Sequence, residues 1–279
     1  MGKIDKSTLD NIKSNLNSTG IFLENYVYNF LKTNKTQYGA KREVSYNIID
    51  AGGFIEGECD IVASSNISEN KVVCFFVECK RASADDKYWV FEKGPMGPTP
   101  FMTLKLLGDN PEYRHDLHLS ALNYNRPEDY EAAINIFEFD EKSGKRNTSI
   151  QRRERPFLAL RHANEAFSGL AKDSLAALDI AHNTKANEGM KILFLPLVVT
   201  TATLLLPTYN TEDIDYSKGT IDTDKIELDK KGWVHFEFPL TGALNNNFTE
   251  YKKRSTFIVN VNSLYDFING VTIAAKTYM

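Results

Sequence analysis

The stretch that decides the fold runs from residue 57 to residue 81 and reads GECDIVASSNISENKVVCFFVECKR. Its second half, residues 72–80, is a run of Val, Phe and Cys that ends abruptly in Glu78, Cys79 and Lys80. A short run that is apolar on both faces is typical of a central, buried strand. Because side chains alternate along a strand, Glu78 and Lys80 are predicted to share one face, with Cys79 on the other.

The first half of the same stretch predicts a neighbouring strand. Residues 57–64 place Glu58 and Asp60 on one face and Cys59 and Ile61 on the other. The segment ASSNISEN between the two runs has the Ser/Asn composition of a hairpin turn. The two strands are therefore predicted to pair antiparallel.

Antiparallel pairing brings two carboxylates together at the strand ends. Asp60 and Glu78 are expected within ~4.5–5.5 Å of each other, the separation of directly opposed positions. Carboxylates this close repel each other, and a divalent cation removes the conflict. Oxygen ligands with water in the remaining positions suit Mg²⁺ or Mn²⁺. Lys80, two residues after Glu78, is then predicted to hold an attacking water or to neutralise charge on a phosphate.

These residues resemble the PD-(D/E)xK nuclease superfamily, which includes restriction endonucleases and resolvase-like enzymes. Asp60 in GECDI matches the first acidic ligand, and Glu78, Cys79 and Lys80 match the E-x-K half of the motif. Upstream, the segment TGIFLE supplies Glu24, and the first helix of the family often carries a glutamate that completes the metal site. The resemblance implies a catalytic set of Asp60, Glu78, Lys80 and Glu24. It also implies that the metal is held by Asp60, Glu78, the carbonyl of Cys79, and Glu24 directly or through water.

The resemblance further implies a fold and an activity. The fold is α/β, with a restriction-endonuclease-like core in which helices flank a mixed central sheet. The activity is hydrolysis of phosphodiester bonds with Mg²⁺ as cofactor and Mn²⁺ as a substitute, and DNA is favoured over RNA as the substrate. Such a nuclease suits restriction or anti-phage defence, with a homo-oligomer or a regulatory partner switching it on.

Only part of the chain carries the resemblance. Residues 1–81 and 156–206 are predicted to form the nuclease core, residues 82–155 an insertion within it, and residues 207–279 a C-terminal extension packed on the core. Hydrophobic patterning predicts a helix near residues 163–182, strands at 193–206, 233–238 and 256–261, and a final helix from Ser263 onward.

Composition indicates an ordinary globular protein. The chain has 279 residues, of which 42% are hydrophobic and 25% charged. No segment reaches the ~18–20 uncharged apolar residues of a membrane span, and the N-terminus has no apolar signal core, so a cytoplasmic protein without membrane contact is expected. The three cysteines, Cys59, Cys74 and Cys79, lack ligand-like spacing and are expected to be reduced and buried.

The formal net charge of -4 argues against nucleic-acid binding, but the distribution of charge weakens the objection. Basic residues concentrate between the insertion and the following helix. A positive binding face is compatible with a negative total if the acidic residues gather elsewhere. The expected nucleic-acid-binding residues are Lys145, Arg146, Arg152, Arg153 and Arg155, with Lys172 added in the manner of the basic residue that some family members carry on this helix.

Alternatives remain open for each of these groups. Glu78 and Lys80 could form an exposed ion pair at a strand end, Asp60 could cap a turn, and Glu24 could be an ordinary helix glutamate. The basic segments could be solvated loops. At the level of function, the alternatives are a non-catalytic nucleic-acid- or protein-binding module and an RNA-cleaving nuclease. Phosphate-loop, nucleophile-elbow and HExxH motifs are absent from the sequence, and its five histidines are scattered.

Overall fold

One mixed β-sheet organises the chain. In this computed structural model the described residues are 5–33, 38–50, 53–82, 87–93, 101–107, 110–117, 133–140, 145–146, 155–177, 190–239 and 253–278. The helices are α1 (Lys6–Ser18), α2 (Ile21–Lys32), α3 (Arg155–Ala177) and α4 (Leu264–Tyr278). The strands are β1 (Gly39–Asp50), β2 (Gly53–Ser68), β3 (Lys71–Lys80), β4 (Lys87–Lys93), β5 (Phe101–Leu107), β6 (Asn110–Leu117), β7 (Ala133–Asp140), β8 (Lys145–Arg146), β9 (Lys191–Thr200), β10 (Thr203–Thr208), β11 (Ile214–Asp215), β12 (Thr220–Ile221), β13 (Glu227–Lys231), β14 (Trp233–Pro239) and β15 (Lys253–Asn260).

Among the described residues the sheet has thirteen strands, and ten of them follow the order β1-β2-β3-β9-β15-β14-β7-β4-β10-β13. Strands β1, β2 and β3 form an antiparallel meander. Strand β9 then runs parallel to β3, and β15 runs parallel to β9. The carboxyl ends of these three parallel strands meet at one edge, where Lys80 lies opposite Thr200 and Thr200 lies opposite Asn260.

Strand β3 is buried on both faces, as the sequence predicts, because helices cover each side of the sheet. All its residues except the first and last are buried. On one face Phe76 packs against Phe167 of α3, with ring centroids 5.5 Å apart. On the other face Phe75 packs against Tyr38, in the cluster that also buries α2 and α4. The prediction of an α/β protein with a mixed sheet between helices is therefore confirmed.

The three segments distinguished in the sequence contribute to the same sheet. Strands β4 and β7, from residues 82–155, pair with each other and with β10 and β14. Strand β15, from the C-terminal segment, lies between β9 and β14 in the interior of the sheet. The tail therefore supplies a central strand, with nine-tenths or more of the Phe257, Ile258 and Val259 side chains hidden from solvent.

Three boundaries of strands and helices differ from those that the sequence pattern predicts. Residues 193–206 are predicted as one strand but belong to two, because β9 ends at Thr200, β10 begins at Thr203, and a bend lies between them. Strand β2 continues to Ser68, so the hairpin turn is shorter than the segment ASSNISEN. Helix α3 begins at Arg155 instead of near residue 163, which puts Arg161 and His162 on the helix.

None of the helices in the described ranges combines the length and the apolar character that crossing a membrane requires.

Candidate active site

The site is built where β2 and β3 stop pairing. Ile61 lies opposite Val77 in the last pair of the antiparallel ladder, so Asp60 and Glu78 occupy the next opposed positions. Beyond this pair, a hydrogen bond to the Asp60 side chain replaces the backbone hydrogen bonds of the ladder. Its Oδ2 accepts the backbone N–H of Cys79 at 2.7 Å, which ties the end of one strand to the end of the other.

The side-chain alternation of β2 breaks at Asp60. Cys59 packs in the core beneath α3, whereas Ile61 packs in the core beneath α2 and α4. The prediction that these two residues share a face is wrong. The opposite position on β1 is Glu43, the one non-glycine residue of the described ranges with a positive φ, at 52°. The change of side therefore coincides with this left-handed residue, while the register of β1 and β2 stays continuous, and the Asp60 carboxylate accepts from the backbone of β3.

Glu78 is the buried carboxylate of the site. Its side chain is only 4% exposed, and its Oε1 lies 2.6 Å from Lys80 Nζ. The same oxygen lies 3.2 Å from His162 Nδ1 on α3. A carboxylate this buried needs hydrogen-bond donors, and Glu78 finds them on its own strand and on the covering helix. The alternative of a solvent-exposed ion pair does not describe Glu78, although Lys80 keeps 35% of its side chain exposed.

Burial and repulsion act together on Asp60. Burial, followed by the negative charge of Glu78, raises the pKa of Asp60 to about 7. The N–H of Cys79 acts in the opposite direction but does not offset the two larger effects. A carboxyl group poised near neutrality beside a second carboxylate is a common feature of functional sites. A divalent cation at this position relieves the repulsion.

Lys80 and His162 face the same carboxylate. Burial alone would lower the pKa of Lys80, but the neighbouring Glu78 reverses the effect and the pKa is raised. The hydrogen bond to Glu78 likewise raises the pKa of His162, against the effect of burial. Lys80 therefore stays charged over the whole neutral range.

Glu24 approaches from the other side of the sheet. It lies on α2, and its Oε2 is 3.4 Å from Arg42 Nη2 on β1. Arg42 also donates to the side chain of Asn25. After burial and the charge of Glu78, the negative charge of Glu24 adds to the raised pKa of Asp60. Helix α2 thus brings Glu24 towards the site, where Arg42 holds it.

The residues fit a hard cation by their donor chemistry. Asp60 and Glu78 offer oxygen atoms, which Mg²⁺ and Mn²⁺ prefer. Burial raises the pKa of the Cys79 thiol well above its usual value, so the thiol stays protonated and only the backbone carbonyl of this residue is a suitable donor. Across the described residues, no three His, Cys, Asp or Glu side chains are already grouped closely enough to hold one ion. Binding would therefore require side-chain adjustment or ligands from water.

The expected nucleic-acid-binding residues are placed only in part. Lys145 and Arg146 form β8, which pairs with β7. Arg155 begins α3, and Lys172 lies near the carboxyl end of that helix. Arg152 and Arg153 lie outside the described residues. The structure therefore puts the backbone of Arg155 on the same helix as His162, two turns before it.

His162 is the site residue that sequence reasoning missed. It is one of the five scattered histidines, and no motif in the sequence marks it as a site residue. The available signal was the position of the helix. Once α3 is extended back to Arg155, His162 lies in the interior of the helix that follows β2 and β3 in the core.

Aromatic residues near the start of the insertion are packing residues. Trp89 and Phe91 are 1% and 0% exposed, and Trp89 Nε1 lies 3.3 Å from Glu138 Oε2. Their burial means that they anchor this segment to the sheet.

The chain was compared with protein-family models, with curated proteins and with solved structures, and none of the three comparisons finds a match.

Proposed function

We propose that this protein is a metal-dependent nuclease that hydrolyses phosphodiester bonds of DNA at the site formed by Asp60, Glu78 and Lys80. The observation that carries the proposal is the pairing of two adjoining carboxylates, one with its pKa raised to about 7, with a lysine held 2.6 Å from the second. A strand end with this set of groups is suited to a hard cation and a phosphate.

The order of the elements supports the proposal. A helix with Glu24 precedes the strand with Asp60, a hairpin follows, and the buried strand with Glu78 and Lys80 comes next. A second helix and a strand parallel to β3 complete the unit. This is the order on which the resemblance to PD-(D/E)xK nucleases rests, and we therefore propose a restriction-endonuclease-like core.

Each residue has a role that its surroundings allow. Asp60, Glu78 and the Cys79 carbonyl would hold Mg²⁺ or Mn²⁺, with Glu24 taking part directly or through water. When bound, such an ion polarises the phosphodiester and lowers the pKa of a coordinated water. Lys80, partly exposed beside Glu78, donates hydrogen bonds to the attacking water or to a phosphate oxygen. Basic residues of β8 and α3 would contact the nucleic-acid backbone.

The biological setting that we propose is restriction or anti-phage defence in the cytoplasm. A homo-oligomer or a regulatory partner would then control the access of DNA to the site.

The test is cleavage of supercoiled DNA by the purified protein in the presence of Mg²⁺ or Mn²⁺. Wild type is expected to nick or cut the DNA, and Asp60→Asn, Glu78→Gln and Lys80→Gln are expected to lose this activity. Asp229→Asn is the control, because Asp229 is an exposed carboxylate on the edge strand β13 and pairs with Lys231. Equal cleavage by wild type and all three site variants would exclude the proposal. A parallel assay with single-stranded RNA identifies the substrate.

A second candidate is a non-catalytic binding module on the same fold. It is favoured by the fact that both carboxylates already have protein donors, Asp60 from Cys79 and Glu78 from Lys80 and His162. Calorimetric titration with Mn²⁺ separates the two candidates. A nuclease is expected to bind Mn²⁺ in a manner that depends on Asp60, whereas a module with satisfied carboxylates has no need of the ion.

A further inference from the structure

Glu78 Oε1 receives two donors that differ in mobility. Lys80 Nζ, at 2.6 Å, is at the end of a flexible four-carbon chain. His162 Nδ1, at 3.2 Å, belongs to a ring on α3. Helix α3 is fixed to the sheet beside the site, because Phe167 packs edge-to-face on both Phe76 and Phe194.

The hydrogen bond defines which nitrogen of His162 carries the proton. An ionised carboxylate can only accept, so Nδ1 must carry the hydrogen and donate it to Glu78. The second carboxylate near the ring, Glu165, is already held by Arg161 Nε at 2.6 Å. His162 is thus oriented by Glu78, and 44% of its side chain remains exposed.

The Lys80 ammonium group has three N–H donors on a flexible stem, so it can turn from Glu78 towards a substrate. In the proposed reaction its ammonium group moves to the attacking water or to the phosphate. Glu78 would then lose its shortest contact while its side chain is 4% exposed. A buried carboxylate that loses a donor is costly, and it is also free to rotate away from the position that a metal requires.

We propose that His162 is a positioning residue, which holds Glu78 Oε1 while Lys80 is engaged with the substrate and thereby keeps the other carboxylate oxygen available to the metal. This inference rests on the proposed nuclease function. In this role α3 supports the metal ligand on β3, and His162 does not contact the reacting atoms.

Three substitutions at one position separate this role from its alternatives. His162→Leu removes the donor. His162→Asn puts an amide nitrogen close to the position of Nδ1 and so retains a donor to Glu78. His162→Gln puts the amide close to the position of the outer nitrogen, Nε2. Thermal unfolding of each variant checks that α3 is still folded on the sheet.

The measurements are Mn²⁺ affinity by calorimetry and the kcat and KM for DNA cleavage. For His162→Leu we expect a loss of about 10- to 100-fold in metal affinity or kcat, the range found when a side chain that supports a ligand is removed. The KM for DNA is expected to stay within about twofold, because His162 does not bind the substrate in this role. His162→Asn is expected to restore most of the loss, and His162→Gln little of it.

The outcomes distinguish failure of the proposed role of His162 from failure of the proposed nuclease function. Unchanged metal affinity and kcat in His162→Leu, with Asp60→Asn still inactive, would overturn the role of His162 and leave the nuclease proposal intact. Rescue by His162→Gln in place of His162→Asn would also overturn the role of His162, because the function would then depend on Nε2 and not on Nδ1. A wild type that neither binds Mn²⁺ nor cleaves DNA would remove the nuclease proposal, and this inference with it.

Discussion

The carboxylate of Asp60 accepts the backbone N–H of Cys79 at 2.7 Å, at the point where the ladder between β2 and β3 ends. A side chain here replaces a strand carbonyl as the partner of a main-chain donor. The bond holds Asp60 next to Glu78, although burial and the charge of Glu78 both disfavour the ionised form of Asp60. The fold thus maintains a repulsive arrangement that a cation would relieve.

Asp60→Asn is predicted to separate activity from stability. Asparagine keeps an oxygen that can accept from Cys79 but removes the charge, so metal-dependent cleavage should fall by about 100-fold or more. Because the pKa of Asp60 is raised to about 7, the folded protein retains a proton that the unfolded chain releases near its ordinary value of 3.8. The metal-free wild type therefore loses stability as the pH rises between these values, and the full cost is present above them.

The stability of this variant can be measured by urea unfolding with a chelator present. At about pH 8 we expect Asp60→Asn to be more stable than wild type by on the order of 1–3 kcal/mol, with the difference absent at about pH 4. Asp60→Ala is the matched variant without the acceptor. A variant Asp60→Asn that is less stable than wild type at both pH values would contradict the raised pKa.

Metal binding is predicted to depend on pH through the same group. With a pKa of about 7, Asp60 must release a proton before it can bind a cation under mildly acidic conditions. The Mn²⁺ affinity should fall by up to tenfold for each pH unit below about 7 and level off above about pH 8. Calorimetry in buffers of different ionisation enthalpy should detect release of up to about one proton at low pH. An affinity that is independent of pH across this range would rule out Asp60 as a ligand with this pKa.

Lys80→Gln is predicted to lose catalysis without losing metal. Lys80 is a donor to Glu78 and carries a positive charge beside the proposed ion, so its removal should leave the Mn²⁺ affinity equal or higher. The kcat should fall by about 10²–10³-fold, as expected when a donor that stabilises a transition state is deleted. Lys80→Arg, which keeps the charge, is the control for charge alone. Loss of Mn²⁺ binding in Lys80→Gln would show that the lysine supports the ligands and not the reaction.

Gly57→Ala is predicted to disturb the packing beside the site. A Cβ at this position would overlap the ring of Tyr46, which is 4% exposed and is confined on its other side by Gly169 of α3. We expect a loss of about 1–3 kcal/mol in the free energy of unfolding, the usual cost of overpacking. Gly39→Ala is the matched control, since a Cβ there would meet nothing closer than Ser64 O at 3.7 Å. Equal stability of the two variants in urea unfolding would contradict this packing.

The parts of the site that depend on local sequence pattern could be predicted. Strand β3 was recognisable because an uninterrupted apolar run of this length, followed by Glu78 and Lys80, is typical of a buried strand whose end reaches the edge of the core. The pairing of β2 with β3 was also accessible, because a hairpin joins neighbours in sequence. The break of alternation at Asp60 was not, since it coincides with the positive φ of Glu43 on another strand, and a period-two pattern assumes a regular strand.

The buried strand, the hairpin and the charged residues at its end follow from local pattern, because hydrophobicity and alternation act between neighbouring residues. Only the tertiary structure decided that His162, 84 residues beyond Glu78, contacts the same oxygen as Lys80. It also decided that β15, near the C-terminus, lies beside β9 in the interior of the sheet. Both results come from pairing and packing between distant segments, which depend on how whole surfaces complement each other and leave no periodic mark in the chain.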